Sequence, residues 1–302
     1  MIKKVIQRLK ELIRQNARTW SESYLRLRIM CPVKMPMNEA RTISVAIPFF
    51  NNAKMAHVAL FNILNDPRIA EIIMVDDGSD RDAFQQLKRK VKPFARKVKL
   101  FRRDVNLGAF ANKIQAVELC SSDWVILLDY DNTLLPEYLD SIFNLDQWED
   151  TTIYCSGYAY PHFNFRKDLG GKVIDLDLAS SMAESKILNR PFFNDGNYFL
   201  PRNRFLQCVK PFWTYSVSAS DVIFANYLWL FANNTLTVLE DSKYLHRVHD
   251  ESTWLNNSEK SLQVIQPILK RIENKVSPYD CIDHDFGQIS KEWIEPTLVS
   301  YR

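Results

Sequence analysis

Several familiar signals are missing from this chain. Its five cysteines (Cys31, Cys120, Cys155, Cys208, Cys281) are scattered and odd in number, and none forms a CxxC pair. That excludes a disulfide framework and a cysteine-based zinc site. No apolar run approaches the roughly 20 residues of a membrane-spanning helix. Charges interrupt the first residues every few positions, so no secretory signal is present, and a cytoplasmic location is expected. No GxGxxG opens the first predicted helix, which argues against a dinucleotide-dependent dehydrogenase. A basic surplus on the folded body is also missing. Residues 1–34 hold nine Lys/Arg against two Glu, and the remainder holds 30 basic and 34 acidic residues. A mildly acidic body lacks the basic stripes that duplex nucleic acid needs, so no nucleic-acid partner is expected.

What is present describes an ordinary globular protein: 302 residues, 46% apolar and 25% charged, enough for one large α/β domain with appendages. Ile2, Val5, Ile6, Leu9, Leu12 and Ile13 recur at spacings of three and four, with Lys3, Lys4, Lys10 and Arg14 off that stripe or at its edges. This predicts a basic amphipathic helix. Two roles fit it: packing on the main domain or a second subunit, or lying through residues 1–30 on an anionic membrane surface. Pro32 and Pro36 mark a linker, so residues 1–36 form one unit.

From Ile43 strands and helices alternate. Strands are expected at Ile43–Ile47, Ile69–Val75, Val98–Phe101 and Trp124–Leu128, and helices at Lys54–Asn65, Arg81–Val91 and Ala109–Leu119. Near-continuous apolar strands between helices imply a mostly parallel sheet buried on both faces, with ligands beyond its carboxyl ends. Three strand ends carry polar clusters: Phe50-Asn51-Asn52, Asp76-Asp77 and Asp129-Tyr130-Asp131. Later elements are expected at Ile153–Tyr158, Gly196–Leu200, Asp221–Phe231, Leu236–His246 and Glu259–Lys275, with 161–190 an irregular excursion. No internal repeat or low-complexity tract is found.

Asp129 and Asp131 stand two apart at a strand end, where i and i+2 point to one side. Both carboxylates can therefore reach one cation, and hard oxygen ligands suit Mg²⁺ or Mn²⁺ bridging a diphosphate. A DxD alone is a weak signal, since short acids at a strand end also cap the next helix.

Order and spacing add weight. The run Ser44-Val45-Ala46-Ile47-Pro48-Phe49-Phe50-Asn51 is followed by Val75-Asp76-Asp77-Gly78-Ser79, by Asn106-Leu107-Gly108 with Asn112-Lys113, and by Trp124 to Asn132. This succession resembles the nucleotide-binding half of the family 2 glycosyltransferases of GT-A fold. The resemblance implies an inverting, metal-using transferase that moves a sugar from a UDP-sugar, or a dTDP-sugar, to a saccharide or lipid-linked acceptor, in bacterial-type surface polysaccharide synthesis. It implies a catalytic domain over 42–255 (42–140 nucleotide-binding, 141–255 acceptor), with 256–302 as a C-terminal helix and tail. Pro48, Phe50, Asn51, Asp77, Gly108, Lys113, Asp129 and Tyr130 would line the donor site, with Asp77 accepting a base N3–H. Asp131 and Asp129 would hold the metal, and Asn132 stands where the family commonly has a further acid.

In the second half the family places its general base roughly 90 residues beyond the DxD. Ser220-Asp221 falls there, which makes Asp221 the base, with Ser220 replacing the usual Glu; Glu240-Asp241 is the second candidate. Tyr244 to Trp254 resembles the segment in which a His near Ser closes the donor site. His249 is preferred as metal ligand over His246 because Ser252 follows it. Asn197 and Trp213 would serve the acceptor. Two other readings stay open: a sugar-1-phosphate nucleotidylyltransferase, although Phe49 to Ala53 is not the Gly- and Arg-rich loop that chemistry wants, and a non-catalytic nucleotide-sugar-binding subunit.

Overall fold

A computed structural model describes residues 41–185, 189–217, 220–248, 258–279, 287–288 and 296–299. The predicted helix and linker over 1–36 and the candidate ligand His249 lie outside them. Strands β1 (Ile43–Phe49), β2 (Ile69–Asp77), β3 (Val98–Arg103) and β4 (Trp124–Leu127) lie parallel in the order β3-β2-β1-β4. Their alternating side chains build two cores. Ala46, Ile73, Val75, Val125 and Leu127 enter one, and Val45, Ile47, Ile72, Met74 and Ile126 the other. Burial on both faces is why these strands read as continuous apolar runs.

Beyond β4 the sheet is mixed rather than mostly parallel. β5 (Thr133–Leu134), β6 (Thr152–Tyr160), β7 (Phe163–Asn164), β8 (Val173–Ile174), β9 (Phe199–Pro201), β10 (Tyr215–Ser216), β11 (Thr235–Leu245), β12 (Gly287–Gln288) and β13 (Thr297–Leu298) follow, of which β10 and β12 pair only with each other in a separate two-stranded sheet. β9 joins β4 antiparallel, β6 joins β9 antiparallel, and β11 lies parallel to β6. β13 pairs antiparallel with β3 at the far edge. One sheet thus runs through both halves of the expected catalytic domain. The helix Ser258–Glu273 buries Ile265, Ile268, Leu269 and Ile272 in the same core.

The expected excursion over 161–190 contains β7, β8 and the helices Arg166–Leu169 and Leu176–Ser185. Two-residue strands and a one-turn helix are too short to leave a periodicity. The helix expected over Lys54–Asn65 is confined to Ala56–Leu60. Among the described residues no helix is long and apolar enough to cross a membrane.

At the N-terminal edge of the sheet, buried Glu71 ties β2 to its surroundings. It accepts hydrogen bonds from Ser44 Oγ (2.8 Å), Ser121 N (2.6 Å) and Oγ (2.7 Å), and Lys99 Nζ (2.6 Å). Burial alone would raise its pKa, but these donors win and hold it down at about 2, against an ordinary 4.5. A depressed carboxylate adds stability that is present above its unfolded pKa and lost as pH falls through the folded one. The urea midpoint is therefore expected to drop between about pH 4.5 and 2. In Glu71→Gln that part of the slope should flatten; parallel pH profiles for the two proteins would disprove the assignment.

Candidate active site

The carboxyl ends of the parallel strands open into a cleft of about 390 Å³. Pro48, Phe49 and Phe50 close β1, with Phe49 buried and Phe50 exposed at the mouth. Asn51 does not line the cleft. It takes a left-handed φ of 57°, donates its N–H to Ser79 Oγ (2.7 Å) and accepts Asp80 N–H on Oδ1 (2.8 Å), bracing the end of β1 against the loop after β2.

At the end of β2 the two acids divide their work. Asp76 receives the Ser79 hydroxyl and Arg102 Nη1 (2.8 Å), while Arg102 Nη2 bonds Ser79 O (2.9 Å), so Asp76 holds the loop. Asp77 reaches the cleft, where Oδ1 accepts Arg103 Nη1 (2.8 Å) and Leu107 N (3.0 Å), and Oδ2 accepts Gly108 N (2.8 Å). Burial raises the Asp77 pKa against those donors.

Gly108 opens the helix Ala109–Glu118 at φ 93°, and a Cβ there would project into open space. Its glycine is required by the backbone, and the bare helix N-terminus beside it faces the cleft. One turn into that helix, Lys113 places Nζ 3.1 Å from Asp129 Oδ1 and 2.7 Å from Asp221 Oδ2. Burial would lower its pKa, but the two carboxylates override that and push it up. Asp221 stands at the start of the helix Asp221–Phe231, so sequence-distant Asp129 and Asp221 share one ammonium.

The loop Asp129–Asn132 is clasped from two sides. Asn197, at φ 67°, accepts Asp129 N–H on Oδ1 (2.9 Å), which Asn132 Nδ2 also approaches (3.5 Å). Asn132 Oδ1 accepts Arg247 N–H (3.1 Å), and Arg247 Nη1 donates to Asp131 O (3.2 Å) and Thr133 Oγ1 (2.7 Å). An amide at 132 donates on one side and accepts on the other. The acid common in the family could only accept. Asn197 is thus a buried strut under the Asp129 loop, not a wall of the cleft. Trp213 is also outside the cleft, lining a separate groove with Arg202, Leu206 and Lys210.

Further cleft-lining residues are Asn106, Asn112, Asn194, Val222, His246 and Arg247. His246 is held at about 4 by burial and by the nearby His162, and Arg247 at about 10 by burial, so the imidazole is neutral at pH 7. Asn194 was not foreseen, and no motif surrounds it that could have marked it. Asp241 is exposed where the β6–β11 register shifts, in a different groove. Among the described residues no group of three or more His, Cys, Asp or Glu could hold a metal ion.

A mixed sheet with acids at its parallel strand ends around one cleft is the GT-A architecture. The profile of glycosyl transferase family 2 matches residues 44–224, more than half of the chain, and the chain belongs to that family. An uncharacterized glycosyltransferase of Mycoplasma pneumoniae (MG060 homolog) is 28% identical over 121 residues, 39% of this chain and 40% of that protein. The cholesterol galactosyltransferase of Borreliella burgdorferi is 26% identical over 117 residues, 38% of this chain and 32% of that one. Each alignment thus spans well under half of the relative. Solved structures of S. aureus TarS 1–349 share the fold at 15% identity. One has a TM-score of 0.52 and covers 79% of this chain and 73% of that one. The other, in complex with UDP-GlcNAc, has a TM-score of 0.54 and covers 78% and 71%.

Proposed function

We propose that this chain is an inverting glycosyltransferase that moves a sugar from a UDP-sugar, with dTDP-sugars as second candidates, to a saccharide or lipid-linked glycan of a bacterial-type surface polysaccharide. The observation that carries this reading is that Asp77, Asp129, Asp131 and Asp221, drawn from two strand ends and a helix start, line one cleft. The UDP-GlcNAc complex of TarS supports a UDP donor, and the sterol in the Borreliella relative's name supports an acceptor that includes a lipid.

In this reading Phe50, Asp77 and Gly108 flank the base, and the N-terminus of Ala109–Glu118 faces the diphosphate. Asp221 takes the proton of the acceptor hydroxyl as its oxygen bonds the anomeric carbon and the bond to the diphosphate breaks. Lys113 must loosen from Asp221 for that step, and the diphosphate is the anion that would draw it away. Asp129 and Asp131 would hold Mn²⁺ or Mg²⁺, with His249 as a further ligand. Two carboxylates on one loop fit a cation shared with the donor's oxygens better than one held by protein alone. When bound, the ion offsets charge developing on the leaving diphosphate. Residues 1–30 would add contact with an anionic membrane. The contact of Asp221 with Lys113 also favours a second reading, a nucleotide-sugar-binding subunit, because the ammonium occupies the carboxylate that would have to meet an acceptor hydroxyl.

Incubation with a panel of UDP- and dTDP-sugars, acceptor glycans and Mn²⁺, read as nucleotide release by mass, tests both. Turnover that needs the metal and disappears in Asp131→Ala is the expected result. Tight UDP binding without any turnover would establish the binding subunit instead.

A further inference from the structure

Residues 83–103 contain nine Lys/Arg and no acid, in a body that is otherwise slightly acidic. The run spans the end of the helix Arg81–Val91, the 3-10 turn Lys92–Phe94 and β3. Part of it has a local explanation. Lys88, Arg89 and Lys90 stand in the last helical turn, where the helix dipole favours cations, and Lys99 pairs with Glu71. Lys92 caps that same helix end, and Arg102 and Arg103 pair with Asp76 and Asp77 at the far end of β3, which leaves the turn's Phe94 and Arg96 without such an explanation. Lys92, Pro93, Phe94, Ala95 and Arg96 are all exposed, with Phe94 40% accessible. Backbone bonds from Ala95 N to Lys92 O (3.3 Å) and from Lys97 N to Phe94 O (2.9 Å) fix the turn with its ring outward. Lys90 and Lys97 donate to the carbonyls of Lys54 and Asp66, which leaves their charge in place.

A lone exposed phenylalanine needs no explanation. A rigid convex tip of Pro, Phe and Ala between cations is different, because it matches the two halves of a bilayer interface. The ring suits the headgroup–acyl boundary, and the cations suit anionic headgroups. Single-stranded nucleic acid would instead call for a groove with several stacking rings.

Topology adds a second observation. β3 starts at Val98, level with Val45 of β1 through Ile72 of β2. β1 and β3 therefore lie two strand spacings apart, roughly 10 Å, and both begin at the sheet edge that holds the basic tip. Residues 1–34, with nine basic residues against two acidic, precede β1 in the sequence.

We propose that the edge centred on Phe94, Lys92 and Arg96 docks this protein on an anionic lipid bilayer. The cleft opens at the opposite edge of the sheet, so the docked molecule presents its cleft to water, which favours the saccharide over the lipid-linked acceptor of the two proposed above.

The test is co-sedimentation of the full chain with vesicles of phosphatidylcholine, with and without phosphatidylglycerol. Binding only to the anionic vesicles is expected, falling at least about tenfold in Lys92→Glu/Arg96→Glu at low salt. A smaller fall is expected in Phe94→Ser. None is expected in the charge-matched control Lys167→Glu/Lys172→Glu, whose sites are exposed elsewhere. Equal sedimentation of the tip and control variants would overturn the proposal and leave any binding to residues 1–34. So would equal binding to uncharged vesicles. Tighter binding to a single-stranded oligonucleotide than to anionic vesicles, lost in the same tip variants, would assign the edge to nucleic acid.

Discussion

Asp221→Asn is expected to lower the rate of sugar transfer by about 10²–10⁴-fold, the range of a positioned general base, while leaving UDP binding within a few-fold of wild type. The amide keeps the shape of the side chain at the start of its helix but cannot take a proton. In barrier terms the loss is about 3–5 kcal/mol. Lys113 would keep its partner Asp129, so the cleft should not reorganise. Single-turnover transfer together with calorimetric UDP binding separates the two effects. Transfer within about threefold of wild type would remove Asp221 as base. It would not promote Asp241, which lies outside the cleft on an exposed bulge. Asp221→Glu should recover part of the rate, because a carboxylate returns at a displaced position.

The largest stability effect is expected at Asp77. Arg103 is fully buried, and its guanidinium is held by Asp77, Gln115 Oε1 and the carbonyl of Ala111. Asp77→Ala strands that cation and also frees the N–H groups of Leu107 and Gly108. Removing one partner of a buried pair costs about 3–5 kcal/mol, a large share of the 5–15 kcal/mol typical of a folded protein. Urea unfolding of wild type, Asp77→Ala, Arg103→Met and the double variant should show the double variant less destabilised than the sum, because no charge is left unmatched. An unchanged midpoint in Asp77→Ala would refute this account. The consequence for function is direct: the carboxylate assigned to the base also builds the Gly108 turn, so its loss should weaken nucleotide binding twice over.

The sequence by itself determined the parallel half of the fold and the acids at its strand ends. Strands buried on both faces must be apolar throughout, and helices between them must show a 3.6-residue period, so β1 to β4 stand out from their neighbours. The ends of those strands are where polar residues resume, which is why Asp77, Asp129 and Asp131 could be picked out before any coordinates. In the second half the longer elements were legible, with the helix Asp221–Phe231 and the strands near 153–158 and 236–246 found where they were expected, but their pairing was not. β9 has three residues and β7 and β8 two each, and pairings between remote segments of that length leave no pattern in the chain. Only the tertiary structure decided that Asn197 is a buried strut under the Asp129 loop, that Trp213 lies outside the cleft, and that Asp221 rather than Asp241 enters it. It alone set Lys113 between Asp129 and Asp221. A salt bridge joining a helix to two elements 16 and 108 residues away depends on how the sheet is ordered, and residue spacing carries no record of that order.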